Sequence, residues 1–207
     1  MPQHKDLKRL VRARMAETSE NYTQALTSLL SETPLEPLPD GWFTAGSHPA
    51  EYSAGLLPRD RGYDGKRVIQ LRFRAAEPPG GFGTVMQSID AARYRGRRVR
   101  FSVMLRGQEI ASWAGAWLRV DTANGSQAFD NMRDRPLRGT TAWTEAANVL
   151  DVGAEATSVH FGVLLAGAGA VDLAGPRFEL VGADVPVTQA ARRPLAPEPQ
   201  GLDFGTA

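Results

Sequence analysis

A chain of 207 residues, 42% hydrophobic and 23% charged, is long enough to bury a core and reads as one main domain with appendages. Its 24 basic residues against 23 acidic ones leave a formal charge of +1, which excludes a whole-protein field drawing it to nucleic acid or anionic lipid. The absence of cysteine excludes disulfides, thiolate metal sites and a cysteine nucleophile.

Residues 1–30 contain no unbroken apolar run of the signal-peptide kind, and no stretch approaches the roughly 18 apolar residues of a membrane span. The expectation is a cytoplasmic chain without a membrane partner. Leu7, Leu10, Val11, Met15, Tyr22, Leu26 and Leu29 recur at helical spacings, which predicts helix over 4–31 with a polar break at Glu17–Asn21. Lys5, Lys8, Arg9, Arg12 and Arg14 make the front of this segment basic. A solvated face of a docking or dimerising helix is the preferred reading, so the helices offer a homodimer contact. DNA contact is disfavoured: Met15–Leu30 resembles the first helix of ribbon–helix–helix repressors, but His4–Arg9 does not read as the strand such a fold requires.

Pro34, Pro37 and Pro39 end the helical segment (1–32) and make a stiff linker over 33–40. From Gly41 to Asp184 short strands are punctuated by Gly, Pro, Asn and Asp, the pattern of an all-β sandwich. Strands are expected at 67–74, 83–89, 97–106, 113–121, 128–132, 141–152, 158–165 and 177–181, with an Asn124-Gly125 hairpin turn. After Asp184 the periodicity ends, and residues 185–207, rich in Pro and Gly, read as a disordered tail.

The strand Trp113–Asp121 organises the search for a site. Leu118 and Val120 belong to one face, Trp117, Arg119 and Asp121 to the other. An aromatic plate beside a cation and a carboxylate suggests the floor of a ligand groove. Trp117 could stack on a ring, and Arg119 could grip a carboxylate or enolate with a two-pronged contact. The same alternation collects Gln70, Arg72, Gln87, Met104, His160, Leu164 and Asp172 as further groove candidates. His160 suits general acid–base work, although a hydrogen-bonded histidine without a role fits the same residues. Asp130 and Asn131 could shape the groove mouth or cap a turn, while Asp134 and Arg135 read as turn residues before Pro136.

No metal-ligand spacing appears, and no cofactor is expected; an oxygen-ligated structural calcium stays compatible with the sequence. The glycines of Pro79-Gly80-Gly81-Phe82-Gly83 lack the lysine and helix of a phosphate loop, and no Gly-x-Ser-x-Gly elbow is present.

Several motifs carry a family resemblance. They are Gly62-Tyr63-Asp64-Gly65-Lys66, Gly81-Phe82-Gly83-Thr84, Met86-Gln87-Ser88, Tyr94-Arg95-Gly96-Arg97-Arg98-Val99-Arg100 and Trp113-Ala114-Gly115 with Trp117 and Arg119-Val120-Asp121. Phe129-Asp130-Asn131-Met132, Asp134-Arg135-Pro136, Gly139-Thr140-Thr141 with Trp143, and Phe161-Gly162-Val163-Leu164-Leu165 continue the set. Together they make Trp42–Val187 resemble a bacterial jelly-roll domain of carbohydrate-binding-module-like character and uncharacterised function, sometimes attached to AraC-type regulators. The resemblance implies an antiparallel jelly-roll β-sandwich, preceded here by a short N-terminal helical segment, and a ligand face. Its members tend to carry an aromatic and Val-Asp-Asp before Arg-Phe-Glu. Here Asp172-Leu173-Ala174-Gly175-Pro176 precedes Arg177-Phe178-Glu179, so Asp172 is a candidate for new chemistry or a surface residue.

The function reading is a small organic ligand bound in the groove of one sheet. It leans to a cofactor-independent cyclase, isomerase or lyase of specialised metabolism, with His160, Arg119 and Asp172 as catalytic candidates. The alternative is a non-catalytic small-molecule or carbohydrate-binding module or sensor. A DNA-contacting regulator ranks third.

Overall fold

The computed structural model describes residues 4–31, 33–75 and 80–189. Two helices open the chain, α1 (His4–Thr18) and α2 (Tyr22–Ser31). The expected break falls between them. Ser19 takes a left-handed backbone with φ 55°. Asn21 then caps α2 reciprocally: its Oδ1 accepts from the Gln24 amide at 2.9 Å, and its own amide donates to Gln24 Oε1 at 3.0 Å.

Eleven strands follow among the described residues: β1 (Phe43–Gly46), β2 (Tyr52–Leu56), β3 (Val68–Phe73), β4 (Phe82–Asp90), β5 (Arg97–Gln108) and β6 (Ile110–Thr122), then β7 (Gly125–Asp130), β8 (Leu137–Gly139), β9 (Thr144–Val152), β10 (Ala156–Ala166) and β11 (Ala170–Val181). They form two antiparallel sheets. The front sheet has the order β1-β4-β10-β6-β7, with β8 also on β6, and the back sheet has the order β2-β3-β11-β5-β9. From β3 to β6 and from β9 to β11, successive strands alternate between the sheets. This is the jelly-roll sandwich that the strand pattern and the resemblance imply.

Between the sheets lie the apolar positions of the alternating strands. Phe73, Phe101, Leu105 and Leu173 come from the back sheet, and Val85, Leu118, Val163 and Leu165 from the front, none more than 1% exposed. Each such side chain contributes about 1.5–3 kcal/mol through removal from water. The Asn124–Gly125 hairpin forms, with Thr122 opposite Gly125. Strands β1, β2 and β8 were not read from the sequence, because three to five residues give too short a window for alternation to show.

The last strand departs from expectation instructively. It starts at Ala170, not Arg177, and runs through Gly175-Pro176 as a bulge, with Gly175 at φ +57°. A Gly-Pro pair reads as a stop in sequence, yet a bulge tolerates both residues inside a ladder.

The helical pair docks on the outer face of the back sheet. Val11, Ala25 and Leu26 pack with Ala170 at the start of β11. Tyr22 donates its hydroxyl to Glu109 at 2.7 Å, and Lys8 lies 3.6 Å from the same carboxylate. Most of the helices' apolar stripe is thus used within the chain, while Leu10 stays 43% exposed. The proline-rich segment lies along β2, with Glu36 and Leu56 exchanging both backbone hydrogen bonds at 2.9 Å. Past Asp184 the first residues are pinned rather than loose: the Thr188 amide donates to the Val149 carbonyl at 2.9 Å. The rest of the expected tail, 190–207, lies outside the described residues.

Candidate functional site

Cross-strand register assembles the outer face of the front sheet row by row. Phe43, Met86, Gly162 and Trp117 make one row, from β1 to β6. On one side of it lies Ala45, Thr84, Leu164 and Gly115; on the other lies Ser88, His160, Arg119 and Phe129. An apolar strip therefore runs beside a polar one.

The strip is built around Trp117. Its indole N–H donates to Thr84 Oγ1 at 2.8 Å, and that hydroxyl donates to the Val163 carbonyl at 2.9 Å. Since β10 separates β4 from β6, the indole must lie across β10, where Gly162 presents no side chain. Trp117 is consequently only 6% exposed and packs with Met86 and Leu164. It forms the floor, so the open stacking plate expected of Trp117 is not present. Phe43 and Phe129, each 43% exposed, supply the accessible ring surface instead. Phe129 sits edge-on to Trp117 at 6.5 Å, and Arg133 covers Trp113 at 5.5 Å.

The polar strip centres on His160. Its Nδ1 is 2.8 Å from Ser88 Oγ, its Nε2 2.9 Å from Ser158 Oγ, and Asp121 Oδ2 stands 3.4 Å from Nε2. Arg119 Nη2 pairs with Asp121 Oδ2 at 2.8 Å. Burial, aided by the Arg119 guanidinium and opposed by Asp121, holds the His160 pKa below its ordinary value. The ring is neutral near pH 7. Arg119 Nε and Asp121 Oδ1 are buried and have no hydrogen-bond partner among the described residues. Leaving such groups unpaired costs about 1–3 kcal/mol each, a cost that a ligand carrying donors and acceptors would relieve.

Trp117, Arg119, Asp121, His160 and Leu164 thus share one face, as the alternation implied. Gln70, Arg72, Met104 and Asp172 do not: they lie on the outer face of the back sheet, across the whole sandwich. Asp172 has no exposed surface. Its Oδ2 accepts from Arg106 Nε at 3.0 Å, Arg106 Nη2 at 2.6 Å and Gln108 at 2.7 Å, while Oδ1 accepts from Gln70 at 2.9 Å. A carboxylate so fully occupied has no capacity to meet a substrate, which corrects its catalytic assignment. Arg72, its pKa lowered by burial, donates to the Thr33 carbonyl at 2.9 Å and holds the segment after α2.

Three further candidates leave the groove. Gln87 has the parity of the core-facing Val85 and lies beside Gly41. Asp130 faces inward at the sandwich edge, gripped by Arg135, Thr188, Asn148 and the Met132 amide. Burial pushes its carboxyl up, but these donors outweigh burial and hold the pKa below its ordinary value. Asn131 Oδ1 accepts from the Arg133 amide at 3.3 Å and acts as a turn residue.

Ser88, Ser158, Thr84, Phe43 and Phe129 are members of the face that sequence reasoning did not select. The signal was alternation on β4, β7 and β10, applied there only to the conspicuous residue types. Among the described residues, no group of three or more His, Asp or Glu side chains is placed to hold a metal ion, and no helix is long and apolar enough to cross a membrane.

No protein-family model matches the chain. Over 185 residues it is 36% identical to an uncharacterised HTH-type transcriptional regulator, YbfP, of Bacillus subtilis (strain 168), covering 88% of this chain and 62% of that protein. The chain thus spans less than two thirds of that relative's length. Among solved structures it superposes on the tandem pair of family 22 carbohydrate-binding modules of Paenibacillus barcinonensis Xyn10C. That match has a TM-score of 0.51 at 15% identity, over 73% of this chain and 45% of that one. The enzymatically active domain of tailspike protein 4 of bacteriophage CBA120 matches with a TM-score of 0.50 at 15% identity, over 69% of this chain and 20% of that one. What is shared is the fold.

Proposed function

We propose that the chain is a non-catalytic binding module whose front face takes a neutral, polyhydroxylated ligand of the carbohydrate type. One observation carries the reading: the exposed rings of Phe43 and Phe129 flank a buried Trp117 floor, beside Arg119 and Asp121 atoms that are buried and unpaired. Sugar rings present apolar C–H faces and hydroxyls that both donate and accept, and this face offers a counterpart to each. The fold shared with a carbohydrate-binding module supports the same reading. Its identity to a transcriptional regulator supports a sensing role for the module, with the output domain in a larger protein.

The chemistry of the face favours binding over turnover. His160 has a serine hydroxyl on each ring nitrogen, Asp121 is neutralised by Arg119, and Asp172 lies behind the other sheet. The carboxylate beside His160, Asp121, is held in an ion pair with Arg119, which suits it to binding more than to proton transfer.

Isothermal titration of the full chain with a panel of neutral oligosaccharides tests this. Saturable heat that falls at least about tenfold in apparent affinity for Phe129→Ala is expected. The reading fails if no member of the panel binds, or if the bound sugar is recovered chemically altered.

A further inference from the structure

We propose that the back sheet carries a second small-molecule site, for a single-ring organic carboxylate. Towards the far end of β11 from the helices, a cavity of about 250 Å³ is lined by Tyr63, Lys66, Ser102, Met104, Gly175 and Arg177. Its origin lies in the register. Ala174 pairs with Met104 and Arg177 with Ser102, so Gly175-Pro176 bulges out opposite Val103 and opens the ladder there.

The cavity is built rather than accidental. Ser102 lines it and is only 4% exposed. Tyr63 stacks on Trp143 with centroids 4.3 Å apart, and Arg106 lies over Trp143 at 4.8 Å. Asp172 clamps Arg106 with two hydrogen bonds, so this buried carboxylate positions the aromatic wall. The rim charges then select the ligand. Lys66 is taken by Asp64 at 3.0 Å, and Glu145 by Arg100 at 3.0 Å. Arg177 is exposed and forms no ion pair among the described residues, leaving its planar fork for a carboxylate. A ring against Tyr63 and Met104, a carboxylate on Arg177 and a polar atom on Ser102 fit a volume of this size.

The test uses the indole N–H signals of the nitrogen-15-labelled full chain, assigned with Trp143→Phe and Trp117→Phe. Sodium glucuronate and 4-hydroxybenzoate are the probes, with glucose as the uncharged control. Either carboxylate should move the Trp143 signal saturably and leave Trp117 in place. Arg177→Gln, on the surface, should weaken the response about tenfold or more, and Ser102→Ala by about twofold to tenfold. A Trp143 signal unmoved by both carboxylates overturns the proposal, as does a response unchanged in Arg177→Gln. Movement of Trp117 alone overturns it too, while leaving the front-face reading intact.

Discussion

The two outer faces of the sandwich arise from the same alternation and have opposite chemistry. On the back sheet, Asp172 receives four hydrogen bonds, and the helical pair and the chain after it cover the neighbouring surface. On the front sheet, Arg119 and Asp121 keep buried atoms unpaired and two phenylalanines stay open. A charge on a strand therefore says little about function until its partners are known. Satisfied groups hold the fold, whereas unsatisfied ones carry a desolvation cost that a partner could relieve.

The largest expected effect comes from breaking the satisfied face. Asp172→Ala leaves Arg106 largely buried without its counter-ion, and should cost about 3–5 kcal/mol in urea unfolding. Front-face affinity of the protein that remains folded should not change; a parallel loss of affinity would mean that the faces are coupled.

Next in size is the open face. Arg119→Gln should weaken oligosaccharide binding by about tenfold or more, since a charge-assisted hydrogen bond contributes about 1.5–3 kcal/mol. Its unfolding midpoint should stay close to that of the parent, because Arg119 is partly exposed and its ion pair is with the neighbouring strand position Asp121.

Trp117→Phe sharpens the role of the floor. It removes the hydrogen bond to Thr84 while keeping an aromatic ring, and should cost about 1–3 kcal/mol of stability. A variant that lost affinity at unchanged stability would instead make Trp117 a direct contact.

The smallest effect concerns pH. The folded chain holds the His160 pKa below its ordinary value, so the unfolded chain takes up this proton first. Stability attributable to the neutral ring is complete above about pH 6.5 and declines as the pH falls below it. His160→Gln should flatten that part of the stability–pH curve, as followed by thermal unfolding between about pH 7.5 and 5.

Much of this architecture was legible in the sequence. The break between α1 and α2 and the strands expected at 97–106 and 113–121, which lie within β5 and β6, follow from local periodicity, and so do the parities of Trp117, Arg119 and Asp121. What periodicity does not carry is the sheet to which a strand belongs. Strand β3 lies in the back sheet and β4 in the front, so the outward residues Gln70 and Ser88 carry the same local signature while facing opposite sides of the molecule. Combining all outward polar residues into one groove merged two faces. Burial of Trp117 was hidden for a related reason: it depends on Gly162 and Thr84 on neighbouring strands, far away in sequence.

The central claim is that the front face binds a sugar-like ligand and leaves it unchanged. Backbone amide NMR of the full chain, titrated with the tightest-binding neutral oligosaccharide and followed for a day, tests it directly. Perturbations should cluster on Phe43, Ser88, Trp117, Arg119, Phe129 and His160, with the sugar resonances intact at the end. Perturbations centred on Met104 and Asp172, or new product resonances, would contradict it.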